Sequence, residues 1–346
     1  MLNRRDFLKR LAVAAIAGAY SGPLFAGIKK GDGGFESHDT LFPITLNKKR
    51  GYIDRTGKVI ISPRFDEALI FTEGLACLGM GGHRGYINVG GEMVLEPRFE
   101  SSSIFSEGFA CMKIPGKERY GFINKSGEFA IEPRFDGATD FTEGLASVAV
   151  GSKWGCIDKN GEMVIKPLSR APITFSEGLG DVQIGKKWGY IDKTGAFAIP
   201  LRYKSVSLFK EGLACVGMGE EADSFIDRTG KVVISDRDFQ EVEPFQEGLA
   251  AVRVKEKRGF INKAGEMVIR PEFDTAFGFK EGFASVRVGG KWRFINKKGD
   301  LIIEPRGVNS PDDIAWSFKN GLACVSIGNK EGYIDKAGRY VWEPTA

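Results

Sequence analysis

Apolar residues in this chain come in runs of three or four, separated by turn residues, and the runs recur in a fixed order about every 34 residues. One run is Leu75-Ala76-Cys77-Leu78, the next type is Gly51-Tyr52-Ile53, and the third is Val59-Ile60-Ile61. Short loops such as Gly289-Gly290-Lys291 join the first type to the second. The second and third are joined by Asp54-Arg55-Thr56-Gly57, which returns as Asn124-Lys125-Ser126-Gly127 and Asp335-Lys336-Ala337-Gly338. Asp or Asn opens such a turn because its side chain accepts bonds from the backbone ahead, and Gly closes it at positive φ. Tight loops make neighbours antiparallel, so each unit is predicted to be a three-stranded meander. The unit opens at Gly51, Gly85, Gly121, Gly155, Gly189, Ser224, Gly259, Arg293 and Gly332. With one more first strand from Leu41 to Leu46, the array holds nine meanders.

Fixed-period similarity means a stacked array rather than one globular core. The runs are apolar on successive residues, which predicts sheets covered on both faces. The linker adds phenylalanine at two fixed places, as at Phe65 and Phe71, and these places take 13 of the 26 phenylalanines. The aromatic content therefore belongs to the repeat core. The expected fold class is all-β: a tandem array of about nine three-stranded antiparallel meanders in an open, curved stack. A propeller-like closed ring is the alternative, set second because nine units exceed the usual blade number of roughly four to eight.

Lys153-Trp154-Gly155, Lys187-Trp188-Gly189 and Lys291-Trp292, with the Tyr-Ile-Asp, Thr-Gly-Lys and Phe-x-Glu-Gly-Leu elements, resemble WG-repeat (KWG-repeat) proteins over residues 41–344. Arg84-Gly85 and Arg258-Gly259 lack the Trp, and Asp223-Ser224 lacks both signature residues. The resemblance implies a bacterial β-rich repeat module and supplies no catalytic residue.

The N-terminus reads as a leader. Arg4 and Arg5 precede Phe7 and Leu8, and an apolar stretch runs from Leu11 to Ala19. This resembles a twin-arginine export signal over residues 1–26, with Ala26 as its last residue and residues 27–40 as a linker; a general secretory signal is the alternative. The apolar run is shorter than the roughly 20 residues of a permanent span. Residues 1–26 hold Arg4, Arg5, Lys9 and Arg10 against Asp6, so the remainder carries 49 − 4 = 45 basic and 45 − 1 = 44 acidic residues. That balance speaks against nucleic acid as a partner. Cys77, Cys111, Cys215 and Cys324 share one repeat position with Ser147 and Ser285, which marks a small buried strand site rather than a disulfide set.

Chemistry is sparse. His38 and His83 are the two histidines, there is no Cys-x-x-Cys, and no Gly-x-Ser-x-Gly or dinucleotide motif occurs. No metal, cofactor or catalytic residue is expected. The recurring Glu73, Glu107, Glu143, Glu177, Glu211, Glu247 and Glu281 are assigned to backbone N–H groups in the linker turn, since catalysis needs a residue once. Trp154 and Trp188 read as packing, with a carbohydrate-stacking row as the alternative. Function is sought where the repeat breaks: Glu220 and Glu221 in the Trp-less unit, and Asp312, Asp313 and Trp316 in the extended last linker, are the candidate partner surface. The expected protein is an exported, non-enzymatic binding or scaffold protein of the bacterial periplasm or exterior, with an envelope protein or glycan as partner. The alternative is a cell-envelope hydrolase acting on cell-wall carbohydrate.

Overall fold

A computed structural model describes residues 40–219, 223–236, 238–310 and 312–345. The expectations placed on Arg4, Arg5, Phe7, Leu8 and Ala26, and on Glu220 and Glu221, lie outside them. The described residues are all-β, and no helix among them is long and apolar enough to cross a membrane. The described residues form nine antiparallel sheets: the first has three strands and the other eight have four each, in sequence order. The chain divides into two compact units, one ending at Thr142 and one spanning Glu143–Pro344, each built of such sheets.

The second sheet shows the plan. A two-residue strand, Glu67–Ala68, leads into Leu75–Met80, His83–Asn88 and Met93–Phe99. Four-stranded sheets of this kind are propeller blades. The fold is therefore a β-propeller of nine blades, which matches the alternative and corrects the open stack. The correction comes from the short extra strand, which turns each linker into the leading strand of the next blade. The three-stranded meander is corrected with it.

Burial differs strand by strand. Leu75–Leu78 is buried on successive residues, as expected for a strand covered on both faces. The last strand departs from that expectation: in Val59–Phe65, Val59 and Ile60 are both exposed while Ile61 and Phe65 are buried. Ile53 pairs with Val59 and Tyr52 with Ile61, so Ile60 is the extra residue of a bulge. The bulge turns two consecutive apolar side chains outward, and it recurs at Phe260–Ile269 and Ile261–Met267.

A second register shift, between Arg50 and Tyr52 and opposite Ser62–Arg64, explains the opening glycine. A Cβ on Gly51 would lie 2.5 Å from the Ile61 carbonyl oxygen and 2.6 Å from Pro63 N. Two blades carry another residue there, Ser224 and Arg293, and their last strands stop short, at Val232–Ser235 and Leu301–Ile303. Those two blades keep the first bulge and lack the second shift, so glycine is needed only where the last strand runs on through the second shift.

Each hairpin closes as its sequence predicts. Asp54 Oδ1 accepts from Thr56 N at 2.8 Å and Lys58 N at 3.1 Å, and Gly57 sits at φ 87°. Asn124 does the same for Ser126 N and Glu128 N, since the turn uses only the shared Oδ1 acceptor. The cores lie between successive blades: Cys77, Tyr86 and Leu95 pack with Phe105, Ala110 and Ile123. The linker phenylalanine meets the ring of the preceding blade, Tyr86 to Phe105 at 4.9 Å and Tyr190 to Phe209 at 4.8 Å. The buried phenols are satisfied across the same gap, Tyr52 donating to Leu69 O at 2.7 Å and Tyr190 to Ser207 O at 2.7 Å.

Candidate functional site

The recurring glutamates sit in two-residue hairpins. Thr72 and Leu75 exchange both main-chain bonds, at 2.9 and 3.0 Å, around Glu73 and Gly74 at φ 52° and 84°. Positive φ at both central residues is the type I′ geometry. The carboxylate reaches the next blade's hairpin: Glu143 Oε2 accepts from Gly178 N at 3.0 Å, and Glu177 Oε2 from Gly212 N at 2.9 Å. It also pairs with a lysine in a second hairpin of that same next blade, as Lys193 Nζ lies 3.2 Å from Glu143 Oε2 and donates to Glu143 O at 2.8 Å. Glu73 with Lys125, Glu211 with Lys263 and Glu247 with Lys297 repeat the pattern. These glutamates are inter-blade clamps, and the sequence identified their backbone N–H donors but not the lysines.

The shared cysteine position also bridges blades. Cys77, Cys111, Cys156 and Cys215 are buried thiols, and the Cys77 and Cys111 sulfurs face Ser102 O and Ala138 O at 3.7 and 3.8 Å. Burial pushes the Cys77 thiol up to about 11 and the Cys156 thiol up to about 12, so neither is a nucleophile at neutral pH. Ser285 fills the same place as Cys77 and donates to Ala315 O at 2.6 Å. In the fifth blade the place belongs to Asp181, which sequence reading passed over. Its Oδ1 accepts from Thr174 N at 2.8 Å, and burial raises its pKa to about 6.

The signature tryptophan position is half-buried at Trp154 and Trp188, and Trp188 packs on the core of Tyr203 and Phe209. That supports packing over a stacking row. Where Trp is lost the contact becomes ionic. Arg84 pairs with Glu67, and Arg258 bonds Glu241 at 2.5 Å and Glu243 at 2.8 Å.

The last linker is built, not slack. Asp313 Oδ2 accepts from Asn309 N at 2.9 Å and Ser310 N at 2.7 Å, and its Oδ1 accepts from Gly328 N at 3.0 Å. Asp313 is buried, so its place on a partner surface is corrected: its carboxylate is consumed by backbone N–H groups of the linker and of the hairpin loop at Gly328. Its carbonyl takes the indole N–H of Trp292 at 2.6 Å. Trp292 stacks on Phe277 at 5.3 Å and 5° between planes, and Phe277 stacks on Trp316 at 5.8 Å and 20°. Trp292 is buried, whereas Phe277 and Trp316 are half-buried and Asp312 is exposed. Sequence reading found Trp316 and Asp312 but not Phe277, which occupies the place of Glu243 immediately after the two-residue strand Thr275–Ala276. Outside this region, His83 is exposed, with Nδ1 3.3 Å from Gly81 O. Among the described residues no group of three or more His, Cys, Asp or Glu is placed to hold a metal ion.

Nine blades, clamps that join consecutive hairpins and an aromatic stack at the irregular linker define a repeat-built β-propeller. The WG containing repeat matches residues 51–82, 85–117, 120–154, 154–188, 188–220, 224–257, 259–292 and 292–306. The chain belongs to that family. No curated protein matches it. Among solved structures, one titled as the eukaryotic initiation factor is similar in fold, with a TM-score of 0.63 and 11% identity over 87% of this chain and 95% of that one. BamB from Moraxella catarrhalis is similar at TM-score 0.40 and 11% identity, over 86% of this chain and 92% of its own. Apo AztD from Citrobacter koseri is similar at 0.42 and 11%, over 79% and 91%.

Proposed function

We propose that this protein is an exported, non-enzymatic binding or scaffold protein, whose partner, an envelope protein or glycan, docks at the last linker. The observation that carries the reading is the Trp292–Phe277–Trp316 stack. Its buried end is pinned by a hydrogen bond and its outer two rings are half-buried. A pre-ordered aromatic surface binds with little loss of side-chain freedom. Asp312, exposed on the same linker, supplies polar character beside it. Export rests on Arg4, Arg5, Phe7 and Leu8.

The test is crosslinking capture from intact envelopes with the mature protein, followed by mass spectrometry of bound protein and glycan. Capture of a specific partner that is lost with Trp316→Ala, while the Tm of that variant stays close to the parent, supports the reading. Equal capture by both proteins would remove the stack from the interface.

A further inference from the structure

One row of side chains crosses the first three strands of a blade, and its members project from the same face because they pair directly. In the second blade the row is Glu67, Gly79 and Arg84, and in the third it is Ser101, Lys113 and Tyr120. In the seventh it is Glu241, Arg253 and Arg258. The cations of these rows all have a carboxylate partner. Arg84 pairs with Glu67, Lys113 with Glu100 at 2.9 Å, and Arg253 and Arg258 share Glu241 at 3.2 and 2.5 Å.

The eighth blade keeps the cation and loses the acid. Its row is Thr275, Arg287 and Trp292, with Thr275 in the place of Glu67 and Glu241. The acid next to it in sequence, Asp274, is taken by Lys257 at 2.5 Å. Arg287 is half-buried, and its Nε is buried with no hydrogen-bond partner. Its side chain has no ion pair or hydrogen bond among the described residues. A partly desolvated cation without a counter-charge is a cost to the folded chain, and an anion brought by a ligand would relieve it. The position of Arg287 says where such an anion would lie. Its directly opposed neighbour is Trp292, and Phe277, two residues on from Thr275, stacks on Trp292 and on Trp316.

We propose that the ligand of the last linker is an acidic glycan, a hexuronate stacking its ring on Phe277 and Trp316 and pairing its carboxylate with Arg287. The inference rests on the reading of that linker as the docking surface. Aromatic rings offer flat apolar faces to the C–H face of a sugar, and a guanidinium takes a carboxylate through paired N–H donors. In a hexuronate the carboxylate is bonded to the sugar ring itself, so one residue of the ligand makes both contacts. An acidic peptide side chain brings the charge without the ring.

Calorimetric titration of the mature chain with trigalacturonic acid, and with its fully methyl-esterified form, tests the proposal. The acid should bind at least about tenfold more tightly than the ester. Arg287→Gln should bind acid and ester alike, at the ester's affinity, and should melt no lower than the parent, since it breaks no ion pair. Arg253→Gln, which does break one, should melt lower and keep the preference for the acid. Trp316→Ala should weaken both ligands together. Equal binding of acid and ester by the parent would overturn the Arg287 pairing and leave the stack in place. Unchanged binding of both by Trp316→Ala would remove the stack, and the inference with it. No binding of either sugar, or a triglutamate peptide binding as tightly as the acid, would overturn the glycan assignment whatever the envelope capture returns.

Discussion

Glu143 holds the left-handed conformation at φ 52°, which costs an L-residue roughly 1–2 kcal/mol. The clamp to Gly178 N and Lys193 offsets that cost, and so the repeat retains a long side chain where Gly or Asn would sit more easily. In the ninth blade the place is taken by Asn320, at φ 52°. Glu143→Ala keeps the strain and loses the clamp, so it should destabilise the protein by about 1–2 kcal/mol in urea unfolding. Glu143→Asn should cost less than half as much, because Asn tolerates this conformation. Equal losses for the two variants would mean that the backbone strain is negligible. The opening glycine gives a paired contrast. A Cβ at Gly259 would stand 2.5 Å from Ile269 O and 2.8 Å from Pro271 N, so Gly259→Ala should cost about 2–3 kcal/mol. Arg293→Gly, in the neighbouring blade with the shorter last strand, should cost less than about 1 kcal/mol, because it gives up only an exposed ion pair to Glu304.

At the scale of strands, the sequence revealed three of every four. Runs such as Leu75-Ala76-Cys77-Leu78, with Asp or Asn and Gly at the turns, carry their own signal. The leading strand does not: Glu67–Ala68 and Ser101–Ser102 are two residues long, too short for alternation or an apolar run. Only pairing with the next strand, Glu67 to Gly79 and Ala68 to Leu78, makes them strands. The bulge was equally hidden, because Val59-Ile60-Ile61 reads as a buried run whichever way its side chains face. The last linker was legible as a break and its Trp316 as a candidate. The burial of Asp313 was not, since its partners Asn309, Ser310 and Gly328 meet it only through the folded turn. The second strand of the fifth blade, Leu179–Ile184, makes a prediction through Asp181. Its folded pKa of about 6 lies above the unfolded value near 4, so the folded state binds the extra proton between those values. The protonated side chain favours folding at low pH, and that contribution is lost as pH rises through about 6. Asp181→Asn keeps the acceptor for Thr174 N and removes the charge. It should match the parent near pH 4 and exceed it at pH 7 by about 1–2 kcal/mol in urea unfolding. The same difference at both pH values would refute this assignment.

At the scale of the whole molecule, contacts run between neighbours in sequence, and stability is close to a sum over blades and their interfaces. Such a chain can fold from many starting points with little loop closure. Rapid folding suits a passenger that folds before export, the route proposed from Arg4 and Arg5. Arg4→Lys with Arg5→Lys should leave the precursor inside the cell on fractionation, whereas normal export of that variant would assign the leader to the general route. The clamps carry a further consequence. Glu143 finds Gly178 35 residues on and Lys193 50 residues on. In the last linker Glu281 still finds its glycine, Gly321, at 40 residues, the added length being taken up by the turn that Asp313 closes. Because each of these ties reaches only from one blade to the next, copying or excising a whole repeat in the gene leaves donors and acceptors in phase. Unequal recombination can thus lengthen or shorten this protein without inventing a contact, and the heritable unit of change is the repeat rather than the residue.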